Sequence, residues 1–424
     1  MKIPLGWLKE HVDVTVEPQR LGDDLTAAGI ALDGLERDGR EVILDFDITT
    51  NRVDCMNVRG LAREVAVLYG LPLRPLQLDF AETGPPAAEA LAVEVQAADL
   101  GPRFTARVLD ARAGESPQWL KDRLEQVGVR PISALVDLSN YVMMEMGQPT
   151  HAFDLEQIRG RKLVVRWARA GEQLVTLDGQ KRELDGRMGV VACPEGALAL
   201  AGVMGGQSSE VSEKTRAVAL EAAWWEPLAI RRTARRLGMH SEASHRFERG
   251  CDFEAPPVAT ARIAHLLTAL GLGTVRPGLI DVIARRRDRP GILLRSARVP
   301  ALLGAEVPGA EVERPLRGLG FGVARVTGGG LGDVYKRQAE GRAARAPHAH
   351  RRRPRRGHQL RLRSGQRAEP RARGRGPAPG QPALRGAERA AQLAGGAGAA
   401  AQPADQPAPG PARGTPPTAG WWPA

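Results

Sequence analysis

Interleaved helix-period and strand-like stretches, a Pro/Ala-rich break and an abrupt late change of composition predict an α+β multidomain chain of 424 residues. The expected division is an N-terminal α/β segment over 1–75, a large α+β domain over 76–285, a truncated small α/β module over 286–332, and a disordered basic tail over 333–424. Apolar residues make up 42% and charged residues 26%, which is enough material for a core in the first three parts.

The elements follow from local pattern. After Pro18, Leu21, Leu25, Ala28 and Leu32 recur at helical spacing, and Val42 to Ile48 has the β-branched and aromatic content of a strand. Leu35 to Val42 bridges these directly. Val58, Leu61, Ala62, Val65, Leu68 and Tyr69 form one stripe of a helix that Gly70 stops. Residues 73–90 read as a linker. Beyond it, 91–95, 104–109 and 163–168 are expected strands, and 119–127 and 252–272 are expected helices. Asp178-Gly179 tolerates the positive φ of a hairpin turn. A helix is expected to start at Pro227. A compact module opens at 290 and stops at Gly328-Gly329-Gly330.

Bulk charge excludes one class of function. The net charge is +11, but residues 341–424 hold 16 Arg, two Glu, one Asp and no Lys, a net of +13. The other 340 residues carry 44 basic and 46 acidic side chains. A uniformly basic nucleic-acid binder is therefore ruled out. Residues 341–424 also lack Ile, Val, Phe, Tyr and Met, so they cannot bury enough apolar surface to offset the entropy of ordering. Three well-separated cysteines, Cys55, Cys193 and Cys251, fit a reducing compartment and no disulfide scaffold. No stretch has the length of a signal peptide or membrane span, so a cytoplasmic location with no membrane contact is expected.

The polar constellation lies between 130 and 252. His151 follows Gly147 and Pro149 and is expected on a loop, where it either orients water or a ribose hydroxyl or caps local backbone. Glu221 sits in an apolar run, so its carboxylate meets an internal cation or waits for a ligand donor. Gly202, Gly205 and Gly206 either expose amides to a ligand or form a plain turn. Arg231, Arg232, Arg235 and Arg236, near a helix end, suit phosphate contacts or complement the helix dipole. His240 and His245 have no third ligand at zinc spacing. Walker-type, dinucleotide-binding and nucleophile-elbow motifs are missing.

Asp47-Ile48-Thr49-Thr50-Asn51-Arg52-Val53-Asp54-Cys55 with Arg59 to Val65, the Gly147–Asp154 run, Gly202–Gly206 and Gly238–Gly250 together carry a resemblance. In that order, over about residues 1–327, they resemble the β subunit of bacterial phenylalanyl-tRNA synthetases. The resemblance implies an (αβ)₂ ligase that joins phenylalanine to its tRNA with ATP and magnesium. The aminoacylation site would lie in the α subunit. The β subunit would hydrolyse tyrosine wrongly attached to the phenylalanine tRNA, with no cofactor. Such editing is needed because a hydrophobic pocket rejects an analogue bearing one extra hydroxyl by only about 100-fold.

By the same resemblance, Glu221 recognises the tyrosine hydroxyl, and His151 is the candidate to orient the attacking water. Arg130 and His151 place the aminoacyl ester and terminal adenosine. Ser241 stands where many members carry Thr, beside the small residue Ala243. Gly205 and Gly206 form the pocket wall, and Arg246 belongs to the same substrate-binding set. No metal ligands are expected in this chain.

The sequence also departs from the family. The inserted oligonucleotide-binding domain is missing between Leu35 and Val42, and the catalytic-like and anticodon-binding parts cannot be found after Gly332. The switch of composition there resembles the wrong reading frame of a GC-rich gene. Resequencing that finds one uninterrupted frame would refute that expectation. Two other functions compete: a non-enzymatic nucleic-acid binder acting through the tail, and a free-standing hydrolase of mischarged tRNA.

Overall fold

The computed structural model describes residues 1–39, 41–111, 114–287, 291–326 and 330–336. Its first elements are β1 (Lys2–Pro4), α1 (Leu5–His11), α2 (Pro18–Ala27), β2 (Ala31–Asp38), β3 (Glu41–Asp47) and α3 (Val58–Tyr69). The strands form an antiparallel sheet in the order β1-β3-β2. Pro18 occupies the first turn of α2, where its missing N–H costs nothing. The expected helical stripe ends early: Gly29 takes φ +92° and Leu32 lies on β2, not on the helix. Gly70 caps α3 in the left-handed region, as its place after the apolar stripe predicts.

The central part runs α4 (Ala87–Ala90), β4 (Ala92–Val95), β5 (Arg103–Ala111), α5 (Gln118–Gln126), α6 (Ala134–Met146), β6 (Thr150–Asp154) and β7 (Lys162–Trp167). It continues with β8 (Gln173–Val175), β9 (Lys181–Glu183), β10 (Gly189–Ala192), β11 (Ala197–Leu200), β12 (Met204–Gly205) and β13 (Ala217–Trp224). Helices α7 (Pro227–Leu237), α8 (Glu242–Phe247) and α9 (Ala255–Ala269) precede β14 (Gly273–Val275) and β15 (Ile280–Ile283).

Two five-stranded sheets dominate. One has the order β14-β5-β13-β6 with β15 also on β5, and the other has the order β12-β11-β10-β7-β4. Alternation along β13 divides its side chains between two cores. Val218 and Leu220 face a core shared with α6, α9 and the N-terminal segment. Ala219 and Ala223 face a second core, built with the β10–β12 strands. The first core takes residues from both sides of the expected boundary at 75, from Ile3 and Leu61 to Leu138 and Leu267. Trp7 stacks on Tyr141 across that line, with ring centroids 4.6 Å apart.

A further expectation is corrected here. Residues 73–90 are not a free linker. The Thr83 N–H donates to Val275 O at 2.8 Å, Arg107 pairs with Glu82 at 3.2 Å, and Arg262 donates to Gln77 O at 3.1 Å. Pro and Ala suit a chain that crosses a surface extended, and long-range partners then fix its path.

The small module comprises β16 (Ile292–Arg295), α10 (Arg298–Leu303), α11 (Gly309–Gly318), β17 (Phe321–Val326) and β18 (Gly330–Lys336), with sheet order β16-β18-β17. It does not stop at the triglycine: β18 carries residues 333–336 into backbone pairing with both neighbours, which the tail's composition did not suggest. The expectations of disorder and of a frame change over 337–424 lie outside the described residues. Among the described residues, no helix is long and apolar enough to cross a membrane.

Candidate functional site

His151 is on strand β6, not on a loop, and pairs in antiparallel register directly opposite Glu221 of β13. Directly opposed residues point to the same face of a sheet, so the two side chains share the inter-sheet side with Ala219 and Ala223. The local cause is visible around the strand. Gly147 ends α6 with φ +79°, and Gln148 Nε2 donates to Ala223 O at 3.0 Å, which holds the incoming chain against β13.

Between the two sheets lies a narrow pocket, whose empty space of about 310 Å³ includes the open solvent at its mouth. His151 enters it from β6, Glu221 and Trp225 from β13 and the residue beyond, and Gly202 and Gly205 line it from the opposite sheet; Thr150 also lines it, with its hydroxyl turned to Ser139. The glycines do different work. Gly202, at φ +64°, turns the hairpin between β11 and β12. Gly205 lets the backbone approach His151: a Cβ there would stand 2.4 Å from His151 Cε1. Gly206 does not offer its amide to a ligand, because that N–H donates to Leu198 O at 2.8 Å.

His151 and Glu221 are each less than a tenth exposed. Burial alone pushes the Glu221 carboxyl up to about 8 and the His151 imidazolium down to about 4. Both are therefore predominantly neutral at pH 7. Among the described residues no cation pairs with Glu221, so the structural ion-pair alternative for it does not hold. A neutral carboxyl can donate one hydrogen bond and accept others, the pairing that a phenol or alcohol requires. The His151 ring packs edge-on to Phe153, with centroids 4.4 Å apart, which fixes its plane.

The remaining candidates divide. Ser241 caps α8: its Oγ accepts from Ser244 N at 3.0 Å and donates to Val203 O at 2.8 Å, holding the Gly202 hairpin from behind. Ala243 is fully buried in the same core. The Arg246 guanidinium turns away from the pocket to Met56 O at 3.1 Å and Glu242 Oε2 at 2.5 Å. Arg130 is exposed on the loop between α5 and α6 and does not line the pocket. Helix α7 starts at Pro227 as expected and exposes Arg231, Arg232, Arg235 and Arg236, with Arg236 paired to Asp185 at 2.8 Å. The sequence reading missed Thr150, Phe247 and Trp225 as pocket residues. Trp225 had a usable signal, since it falls on the Glu221 face by strand alternation.

Asp54, Cys55 and Glu64 bring potential ligand atoms within 4.8 Å of one another. Arg52 and Arg63 bond the two carboxylates, and burial and the neighbouring carboxylates push the Cys55 thiol up to about 12. The cluster is a charge-balanced knot at the start of α3.

Residues 100–271 match the B3/4 domain family. The phenylalanine--tRNA ligase beta subunit of Rhodopirellula baltica is 41% identical over 330 residues, which are 78% of this chain and 48% of that protein. That of Dehalococcoides mccartyi is 44% identical over 318 residues, 75% of this chain and 38% of that protein. That of Moorella thermoacetica is 45% identical over 269 residues, 63% of this chain and 34% of that protein. A crystal structure of an N-terminal fragment of the phenylalanyl-tRNA synthetase beta subunit from Pyrococcus horikoshii overlays loosely. Its TM-score is 0.41 at 15% identity, over 79% of this chain and 93% of that one. The chain thus spans about half the length, or less, of the curated relatives it matches. Over the stretch those matches cover, it is similar to phenylalanine--tRNA ligase beta subunits.

Proposed function

We propose that this chain acts as the beta subunit of a phenylalanine--tRNA ligase and hydrolyses tyrosine wrongly esterified to the phenylalanine tRNA. The site is the pocket between the two sheets. The observation that carries this reading is a buried glutamic acid with no cation among the described residues, directly opposite a buried histidine in a glycine-walled pocket. Charging itself is part of the same proposal: an α subunit in an (αβ)₂ assembly, with ATP and magnesium, attaches phenylalanine. Ester hydrolysis by water needs neither ATP nor metal.

Glu221, held neutral by burial, exchanges hydrogen bonds with the tyrosine hydroxyl. Phenylalanine offers nothing in return and would leave the carboxyl unpaired, which is how a polar site rejects an analogue lacking the polar group. His151, with its affinity for protons lowered, holds a water through its ring nitrogen lone pair but is a weak base. The water oxygen attacks the ester carbonyl and the bond to the terminal ribose oxygen breaks. Free tyrosine and a tRNA with its hydroxyl restored are released. Gly205 sets the depth at which His151 sits. Gly206, Ser241, Ala243 and Arg246 support the wall behind it, Arg130 reaches the terminal adenosine, and the exposed arginines of α7 meet tRNA phosphates.

The test is deacylation by the purified full chain of phenylalanine tRNA carrying either tyrosine or phenylalanine. Tyrosine is expected to be lost faster, with the difference reduced about 100-fold in Glu221→Ala. His151→Ala is expected to slow both reactions by about 100-fold. A folded chain that deacylates neither substrate would overturn the proposal.

A further inference from the structure

Trp225 supplies a third polar group to the pocket. Its indole is almost wholly buried, and its Nε1–H has no acceptor among the described residues. Other tryptophans nearby behave differently: Trp224 Nε1 donates to Cys251 O at 2.8 Å, and Trp167 Nε1 reaches the Asp99 carboxylate at 3.3 Å. A buried indole N–H usually finds a partner, and leaving one unmade costs about 1–3 kcal/mol. Trp7 Nε1 also lacks an acceptor, but that ring is stacked on Tyr141 in the other core and lines no pocket.

The Trp225 donor sits at the pocket wall, against the Gly202 hairpin. Only a bare backbone fits there: a Cβ on Gly202 would stand 2.8 Å from Trp225 Cδ1, the carbon bonded to Nε1. The far edge of the ring is filled instead, by Gly101 at its six-membered side and by Phe104 edge-on with centroids 6.2 Å apart. The ring is held by its apolar end and presents its N–H edge to the hairpin that walls the pocket.

Strand geometry then says which part of a ligand meets this donor. Trp225 lies four residues beyond Glu221 on the same face, about 13 Å along the chain at strand rise. That span exceeds the length of a tyrosyl side chain. With the phenol at Glu221, the far end of the pocket holds the ester and the terminal ribose, both rich in oxygen acceptors.

We propose that the Trp225 indole N–H is a substrate-binding donor that takes an oxygen acceptor at the ester–ribose end of the aminoacyl-tRNA. This rests on the editing reading above. The group discriminates position, not side chain: it seats the ester so that its carbonyl stays at a fixed depth relative to His151.

Trp225→Phe removes the N–H and keeps a ring. In steady-state deacylation of tyrosine-charged tRNA, kcat/KM is expected to fall about 10-fold. A fall carried by kcat places the N–H on the ester carbonyl, whose oxygen gains charge in the transition state. One carried by KM places it on the ribose. A second measurement needs no turnover. With ¹⁵N-indole-labelled chain, the Trp225 resonance is assigned through Trp225→Phe and Trp225→Tyr. It is then followed on adding 3′-deoxy-3′-(tyrosylamino)adenosine, an amide that resists hydrolysis, and a downfield shift is expected.

A wild-type chain that does not deacylate, yet shifts this resonance, removes the hydrolysis reading and leaves the donor in place. Wild-type deacylation, with Trp225→Phe unchanged in kcat and KM and the resonance unmoved, overturns the donor and leaves editing standing. Absence of both deacylation and shift overturns both.

Discussion

Two places in this molecule bury a histidine beside a glutamate, and they do opposite things. At the seam between the N-terminal segment and the central helices, His11 Nε2 stands 3.6 Å from Glu145 Oε1. Arg262 bonds Glu145 through two nitrogens at 2.8 Å each. Burial, then Arg59, Arg262, Arg123 and Arg74, hold His11 down to about 3. In the pocket, His151 and Glu221 are also buried, but among the described residues no arginine pairs with Glu221, and burial alone sets both pKa values. Desolvation is common to the two pairs. The bidentate arginine makes one glutamate a strut between helices, whereas the other stays neutral and open to a ligand.

The largest break in that comparison is at the strut. Arg262→Met strips the counter-charge from a glutamate that is 1% exposed and should cost about 3–5 kcal/mol of unfolding free energy in urea titration. Deacylation by the fraction still folded should be unchanged. A loss below about 1 kcal/mol would mean that Arg59 already suffices.

The pocket pair makes the next prediction, through pH. The folded-state value of Glu221, about 8, lies above the ordinary 4.5, so the native chain keeps a proton that the unfolded chain releases. The stability it contributes is complete below pH 4.5 and is lost as pH rises through 8. His151, lowered from 6.5 to about 4, runs the other way and loses stability as pH falls from 6.5 to 4. The two slopes oppose each other between 4.5 and 6.5, and Glu221 acts alone of the two from 6.5 to 8. Over that upper window the wild-type chain should lose up to about 2 kcal/mol, and Glu221→Gln should not. Equal slopes in the two proteins would show that Glu221 is charged in the native state.

The smallest effect separates support from chemistry. Ser241→Ala removes a helix cap and the bond to Val203 O, at a cost of about 1 kcal/mol in thermal or urea unfolding, and Ser241→Thr should restore it. Should Ser241→Ala instead abolish deacylation at full stability, its hydroxyl belongs to the chemistry.

Much of the architecture was legible before any coordinates. The stripe from Val58 to Tyr69, the stop at Gly70, the turn at Asp178-Gly179 and the helix start at Pro227 are local events, decided by side-chain periodicity and by backbone angles open to glycine or fixed in proline. His151 was misplaced because the partner that makes its five residues a strand lies more than sixty residues downstream, in β13. Leu32 continues a helical spacing that Gly29 has already ended. Ser241 and Arg246 are polar residues in a motif-rich stretch, and only their partners, Val203 O for one and Met56 O for the other, show that they brace the site.

Composition of the parts, the family resemblance, a glutamate in an apolar run and a histidine some seventy positions earlier are all readable from the sequence. It could not say that the two are cross-strand neighbours, that no cation among the described residues pairs with Glu221, or that the Trp225 N–H lies unpartnered among them at the wall of the same pocket. Those are tertiary facts for one physical reason. A carboxyl becomes a neutral acid, an imidazole a weak base, and an indole N–H an available donor only when water is excluded without a protein partner taking its place. Exclusion of that kind comes from the packing of one sheet against another, not from neighbours along the chain.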